Sequence, residues 1–254
     1  MQPIAYQPGN SALHRTHPLV KAGWMVSVSV LLFLFRQWAA PLPVVALSLL
    51  LLRLSGLRLR GRRGARLLLL TSVGLAFTQL LFQDQGSVLA RLGPLTLTDT
   101  GLRDAVYVGG RFAAVVLLSF LFVLSTDPND LAYALMRAGL PYRLGFAGIT
   151  ALRLVPMFEQ EAETVYQAQL ARGIALDRRG PRRWLDWVRR LLMPVLSSAL
   201  TKVDMLAVSM EGRGFGRMPH RTFLRTVPFT ARDAAALVVL ALVTVGGVAL
   251  ALQQ

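Results

Sequence analysis

The sequence predicts an all-α, polytopic membrane protein with about five transmembrane helices and long amphipathic cytoplasmic helices. Three observations carry that reading. Hydrophobic residues make up 54% of the 254 residues and charged residues only 16%, against about 45–50% and about 25% in soluble domains. Five apolar runs approach or reach the roughly 20 residues that cross a bilayer. The formal charge is +15, from 28 basic and 13 acidic residues, and every basic residue except Lys21 and Lys202 is arginine. So apolar a chain is not disordered. With no cysteine, it has neither disulfides nor thiolate metal sites.

The first run, Leu19 to Phe35, and the second, Trp38 to Leu54, are separated only by Arg36-Gln37 and read as a tight helical hairpin. Pro41 and Pro43 fall in the first turn of the second run, where a missing N–H costs least. The third run extends from about Gly64 to Phe82, with Arg66 at its entrance, the fourth from Ala105 to Ser125 and the fifth from Ala234 to Leu252. Eighteen mostly polar residues precede the first run and a second run follows it almost at once, which is not the pattern of a cleaved signal sequence.

Arginine placement sets the orientation. Residues 53, 58, 60, 62, 63 and 66 are arginine with no acid among them, whereas Gln83 to Thr98 holds only Asp84 and Arg91. The positive-inside bias puts the first segment in the cytoplasm and the second outside. The N-terminus is then cytoplasmic, as is 126–228, and the C-terminus is external. This gives a transmembrane region of about four spans at 1–125, a cytoplasmic region at 126–228 and a C-terminal transmembrane helix at 229–254. The same distribution accounts for the basic excess without nucleic acid.

Within 126–228, Asp127-Pro128 reads as a helix start, an acidic cap followed by proline at the first helical position. That short helix ends near Gly139-Leu140-Pro141. Two long amphipathic helices follow. Leu154, Phe158, Ala162 and Val165 recur at helical spacing in the first, with Glu159, Glu161 and Glu163 between them as a solvated face. Leu185, Val188, Leu192, Val195, Ala199, Val203, Leu206 and Met210 do so in the second. Each holds one proline, Pro156 and Pro194, expected to kink it. Each ends in a small–Arg–Gly motif, Ala171-Arg172-Gly173 and Gly212-Arg213-Gly214. Small flanking residues clear space around one permanently charged fork, which suits bidentate contacts in an acidic groove. A plainer role is complementing the helix C-terminus, worth about 0.3–1 kcal/mol. Two copies on similar helices favour two equivalent docking events.

These motifs resemble the signature of the EcfT family, the transmembrane coupling subunits of energy-coupling factor (ECF-type ABC) importers, with relatives CbiQ and BioN. Ala168-Gln169-Leu170-Ala171-Arg172-Gly173 fits the first signature. Leu13-His14-Arg15-Thr16-His17-Pro18-Leu19-Val20-Lys21 is similar to the family's pre-span segment, and Ser125 to Leu131 to its Ser/Thr-x-Pro-x-Asp/Glu-Leu element. His17 replaces a frequent aspartate, and Gly212 a common alanine. The resemblance implies a non-catalytic subunit of a bacterial or archaeal plasma membrane importer for a vitamin or a metal ion such as cobalt. Two cytosolic ATPases, which bind the ATP and Mg, would dock on Arg172 and Arg213. A substrate-binding membrane S component would rest on Leu154, Phe158, Leu192 and Val195, with Pro156 and Pro194 bending the coupling helices around it. The chain itself would bind no cofactor.

Other readings have less behind them. Neither lysine sits in a Gly-x4-Gly-Lys-Ser/Thr loop. His14 and His17 are spaced as a metal pair without an evident third ligand. A lipid transferase-like membrane enzyme would need convergent acids and histidines. A stand-alone permease would carry ionisable residues near the bilayer centre. Arg111, about two turns into the fourth run, is expected to snorkel to the outer interface.

Overall fold

The computed structural model describes residues 6–9, 11–35, 37–57, 63–82, 87–92, 95–173, 181–217 and 228–251. Three of the six arginines read as a cytoplasmic cluster, 58, 60 and 62, lie outside them. Two compact units result. The first contains α1 (Ala12–Arg15), α2 (Pro18–Leu34), α3 (Pro41–Leu54), α4 (Arg63–Phe82), β1 (Val88–Leu92), β2 (Leu95–Thr98), α5 (Asp99–Ser125), α6 (Pro128–Arg137) and α9 (Ala231–Ala251). The second is the pair α7 (Tyr142–Ala171) and α8 (Pro181–Gly212).

Helix α5 is the hub of the first unit and packs against α2, α3 and α4. Its Val116, Leu117, Phe120, Leu121 and Leu124 form a core with Leu52, Leu57 and Ala65. Contact with α4 is close because small residues face each other. A Cβ on Gly109 would lie 2.6 Å from the Ala76 Cβ and 3.0 Å from the Ser72 carbonyl oxygen. Such small-residue seams are the usual way for helices to associate in lipid, where no hydrophobic driving force separates helix from solvent. Helix α5 begins at Asp99, six residues before the apolar run. The Thr98 hydroxyl accepts the Gly101 N–H at 3.1 Å, and Asp99 pairs with Arg103 at 2.9 Å, so a polar first turn is helical as well.

All five apolar runs are helical, but their lengths differ from the expectation. Among the described residues, four helices are long and apolar enough to cross a membrane: Ala65–Phe82, Asp99–Ser125, Val188–Gly212 and Ala231–Leu250. Helices α2 and α3, with 17 and 14 residues, are shorter. Val188–Gly212 enters the set although its sequence periodicity is that of an amphipathic helix. The segment between α4 and α5 contains an antiparallel β1–β2 pair, with Leu92 opposite Leu95 and Arg91 opposite Thr96.

One end of the first unit is tied together by polar groups. The His17 N–H donates to Asp233 Oδ1 at 2.8 Å, and Thr230 donates its N–H and hydroxyl to Asp233 Oδ2 at 2.9 and 2.6 Å. The Lys21 ammonium, almost fully buried, donates to the Ser125 carbonyl at 2.8 Å. These bonds bring the start of α2, the end of α5 and the start of α9 to the same end of the unit. They also join the pre-span segment to the Ser125–Leu131 element, two motifs that the sequence keeps 104 residues apart.

The second unit is held by a stripe on each helix. Leu154, Phe158, Glu161, Val165 and Gln169 of α7, and Val195, Ser198, Lys202 and Leu206 of α8, are among the partly or fully buried positions. Gln169 donates to the Arg190 carbonyl at 3.3 Å. Glu161 accepts from the Ser198 hydroxyl at 2.6 Å and pairs with Lys202. Glu161 is therefore not part of a solvated acidic face. The Lys202 and Ser198 hydrogen bonds hold its carboxyl below the usual carboxylate range, with a smaller opposing effect from desolvation.

Candidate functional site: two matched helix ends

Helices α7 and α8 stop in the same way. Arg172 is the capping residue of α7 and donates its N–H to the Ala168 carbonyl at 3.2 Å. Gly173 follows with φ 74 and donates to Leu170 at 2.9 Å. At the end of α8, Arg213 donates its N–H to Ser209 at 3.2 Å, and Gly214, with φ 71, donates to Glu211 at 2.9 Å. The Phe215 N–H then reaches back to the Met210 carbonyl at 2.9 Å, completing a Schellman cap. A positive φ is open to glycine without steric cost, so the glycine after each arginine is a geometric requirement of this stop.

Ala171, Arg172, Gly212 and Arg213 are exposed, as is Gly173, and Gly214 is half-exposed. Among the described residues, neither guanidinium has an ion-pair or hydrogen-bond partner. Each arginine is thus held by its backbone and free at its tip, at a helix terminus whose own partial negative charge favours a cation. The sequence motif located both positions because capping is local.

Phe215 is the contribution that sequence reasoning did not single out. Its ring lies 4.7 Å from Phe146 and 5.9 Å from Tyr142, both in the first turns of α7. The end of α8 is thereby pinned to the beginning of α7. An aromatic residue directly after the Arg-Gly pair was the available signal.

Pro156 and Pro194 lie inside helices that continue on both sides of them. Of the four apolar positions assigned to a partner, Leu154, Phe158 and Val195 are half-buried on the stripes that join α7 to α8, whereas Leu192 is 46% exposed. Leu192 heads a second stripe on α8, with Leu196, Leu200 and Val203, whose side chains are also exposed.

Both described histidines, His14 and His17, are engaged in hydrogen bonds near the start of α2. His14 Nε2 donates to the Gln7 carbonyl at 3.0 Å, and its Nδ1 accepts from the Ser11 hydroxyl at 2.7 Å. His17 Nδ1 caps α2 by accepting the Leu19 N–H at 3.3 Å. No group of three or more His, Asp or Glu suited to a metal occurs among the described residues. The Arg111 guanidinium lies 4.0 Å from the Tyr107 ring centroid and 4.8 Å from that of Phe33, and it donates to the Phe35 carbonyl at 3.4 Å.

A unit with several helices apolar enough to cross a membrane, joined to a helix pair whose two ends each present an exposed arginine, defines the class as an all-α, multi-pass membrane protein. The chain matches the family described as cobalt transport protein, CbiQ, over residues 9–224. It is 30% identical to the energy-coupling factor transporter transmembrane protein EcfT of Thermosediminibacter oceani, across 96% of this chain and 95% of that protein. Identity to the EcfT of Lacticaseibacillus paracasei is 31% across 90% of each chain, and to that of Streptococcus equi subsp. equi 28% across 92% and 90%. The chain belongs to the EcfT family, the non-catalytic transmembrane coupling subunits of ECF-type ABC importers.

Proposed function

We propose that this chain passes ATP-driven motion from two cytosolic ATPases to a substrate-binding membrane subunit, with Arg172 and Arg213 as the two points of ATPase attachment. The observation that carries the reading is the matched pair of caps, since equal backbone geometry at two helix ends suits two equivalent partners. ATP and magnesium belong to the ATPases, and the identity of the vitamin or metal ion to the substrate-binding subunit. That subunit rests on the apolar face headed by Leu192, with Leu154, Phe158 and Val195 bracing the two helices behind it. Pro156 and Pro194, each removing one backbone hydrogen bond, let the helices bend as the ATPases close.

The proposed topology has five crossings, α2, α3, α4, α5 and α9, with the N-terminus inside and the C-terminus outside. Parity supports keeping α8 out of the membrane despite its apolar length. The chain leaves the first unit beside the start of α2, through the Lys21–Ser125 bond, and returns beside it, through the His17–Asp233 bond. An even number of crossings must lie between. Helix α7 carries Arg143, Arg153, Glu159, Glu161 and Glu163 and is a poor span, so the supported number is zero.

Charge reversal tests the docking. Arg172→Glu and Arg213→Glu should each reduce co-purification with the ATPases, and the double variant should abolish it while the extracted yield stays at the wild-type level. Losing one partner of a desolvated arginine–carboxylate pair costs about 2–5 kcal/mol. Full co-purification of the double variant would reject the reading, whereas a collapsed yield without selective loss of partners would reduce these arginines to helix-end stabilisers.

A further inference from the structure

In the first unit an apolar groove of about 680 Å³ runs between α2, α3, α5 and α9, lined by Trp24, Val28, Phe35, Leu47, Leu118 and Phe122 among others. Its two ends differ in charge. At one, the Lys21 ammonium is spent on the Ser125 carbonyl. Toward the other lies Arg111, not itself a lining residue, on α5 seven and eleven residues before Leu118 and Phe122, which line the groove. The Arg111 guanidinium donates to the carbonyl of Phe35, whose side chain lines the groove. Among the described residues that is its one hydrogen bond, its Nε is buried without a partner, and no carboxylate pairs with it. The side chain remains half-exposed. Two aromatic rings hold the cation without neutralising it.

We propose that Arg111 takes the phosphate of a phospholipid and that the groove holds one of its acyl chains. A guanidinium on a spanning helix is costly unless paired, and it makes strong charge-assisted bonds to phosphate oxygens. A membrane phosphodiester is an anion always present at the polar boundary, and it comes attached to an apolar chain. From Arg111 to Ser125 helix α5 rises roughly 21 Å at about 1.5 Å per residue. One leaflet supplies chains of about half the roughly 30 Å hydrocarbon core, so one chain fits along the groove. Free phosphate would satisfy the arginine but leave the groove empty. The site lies within the first unit and is independent of ATPase docking. Only the naming of the leaflet as the outer one follows from the proposed topology.

Phospholipid bound per chain tests this, measured by extraction after washing the full chain in mild detergent. Wild type should retain one phospholipid per chain. Arg111→Gln should weaken retention about ten-fold, and Arg111→Lys should keep part of it. Leu118→Trp fills the groove while leaving Arg111 in place and should cause the same loss as Arg111→Gln. Delipidated wild type should take up phosphatidylglycerol with inorganic phosphate in large excess. Wild type washed free of phospholipid would overturn the proposal. So would full retention by a monodisperse Leu118→Trp variant, or displacement of the lipid by inorganic phosphate. Expulsion of the lipid on binding the substrate-binding subunit would give the groove to a partner helix and also overturn it.

Discussion

His17, where related motifs often carry an aspartate, caps α2 by accepting the Leu19 N–H through Nδ1. That acceptor must be unprotonated. Burial pushes the His17 pKa below its ordinary value, with Asp233 opposing and Arg137 adding to the shift. A histidine whose folded pKa is depressed stabilises the fold above its unfolded value, and that contribution is lost as pH falls through the folded value. Amide protection factors at residues 19–21, taken relative to the intrinsic exchange rate at each pH, should therefore fall as pH drops below about 6.5, and His17→Asn, which keeps an acceptor cap without a titrating ring, should abolish that dependence. Phe215 offers a second test. Phe215→Ala leaves Arg213 intact but removes ring contacts worth about 0.5–1.5 kcal/mol each. Co-purification with the ATPases should fall less than for Arg213→Glu, and Phe215→Tyr should restore it. Both arginine-bearing caps were legible in the sequence, because a small–Arg–Gly stop is fixed by neighbours within five residues. The position of Arg111 was legible but its setting was not, because its partner, the Phe35 carbonyl, is 76 residues away.

Elements were legible where periodicity was long. The apolar runs, the Asp127-Pro128 start of α6 and both proline-containing helices are where hydrophobic spacing and capping put them. Periodicity marks a buried face but does not say which polar residues meet across it, so Glu161 could not be paired in advance with residues 37 and 41 positions away. The β1–β2 pair was missed because strands of five and four residues carry too little alternation to stand out between two apolar helices. The Thr230-x-x-Asp233 spacing, in which Asp233 reaches back to accept the Thr230 N–H as the second half of a capping box does, was a readable signal for the start of α9. Because Lys202 and Ser198 hold the Glu161 pKa down, its stabilising effect is present above the unfolded carboxylate value and is lost as pH falls through the folded one. Exchange protection along α7 and α8 should thus decline on acidification below about pH 4. Glu161→Gln should show reduced protection at neutral pH with no further acid loss. At the α4–α5 seam, Gly109→Leu must displace Ala76 and the Ser72 backbone, and it should lower the thermal midpoint of the first unit. Overpacking of this kind typically costs about 1–3 kcal/mol.

For the molecule as a whole, sidedness is the property to measure. A reporter active only in the cytoplasm should give signal when fused after residue 180 and none after residue 254, and the reverse pattern would overturn the five-crossing topology. The polar ties at one end of the first unit bear on more than sidedness. Arg137, the last residue of α6, acts electrostatically on His17, which is bonded to Asp233 in the first turn of α9. The points where the backbone departs for α7 and comes back from α8 are consequently neighbours, and the intervening segment is an insertion into an otherwise closed bundle. In evolutionary terms it is a cassette. Lineages could exchange the segment as one piece, adapting it to new ATPases without redesigning the bilayer scaffold, and a chimera carrying a relative's 139–226 is the natural way to transplant partner choice.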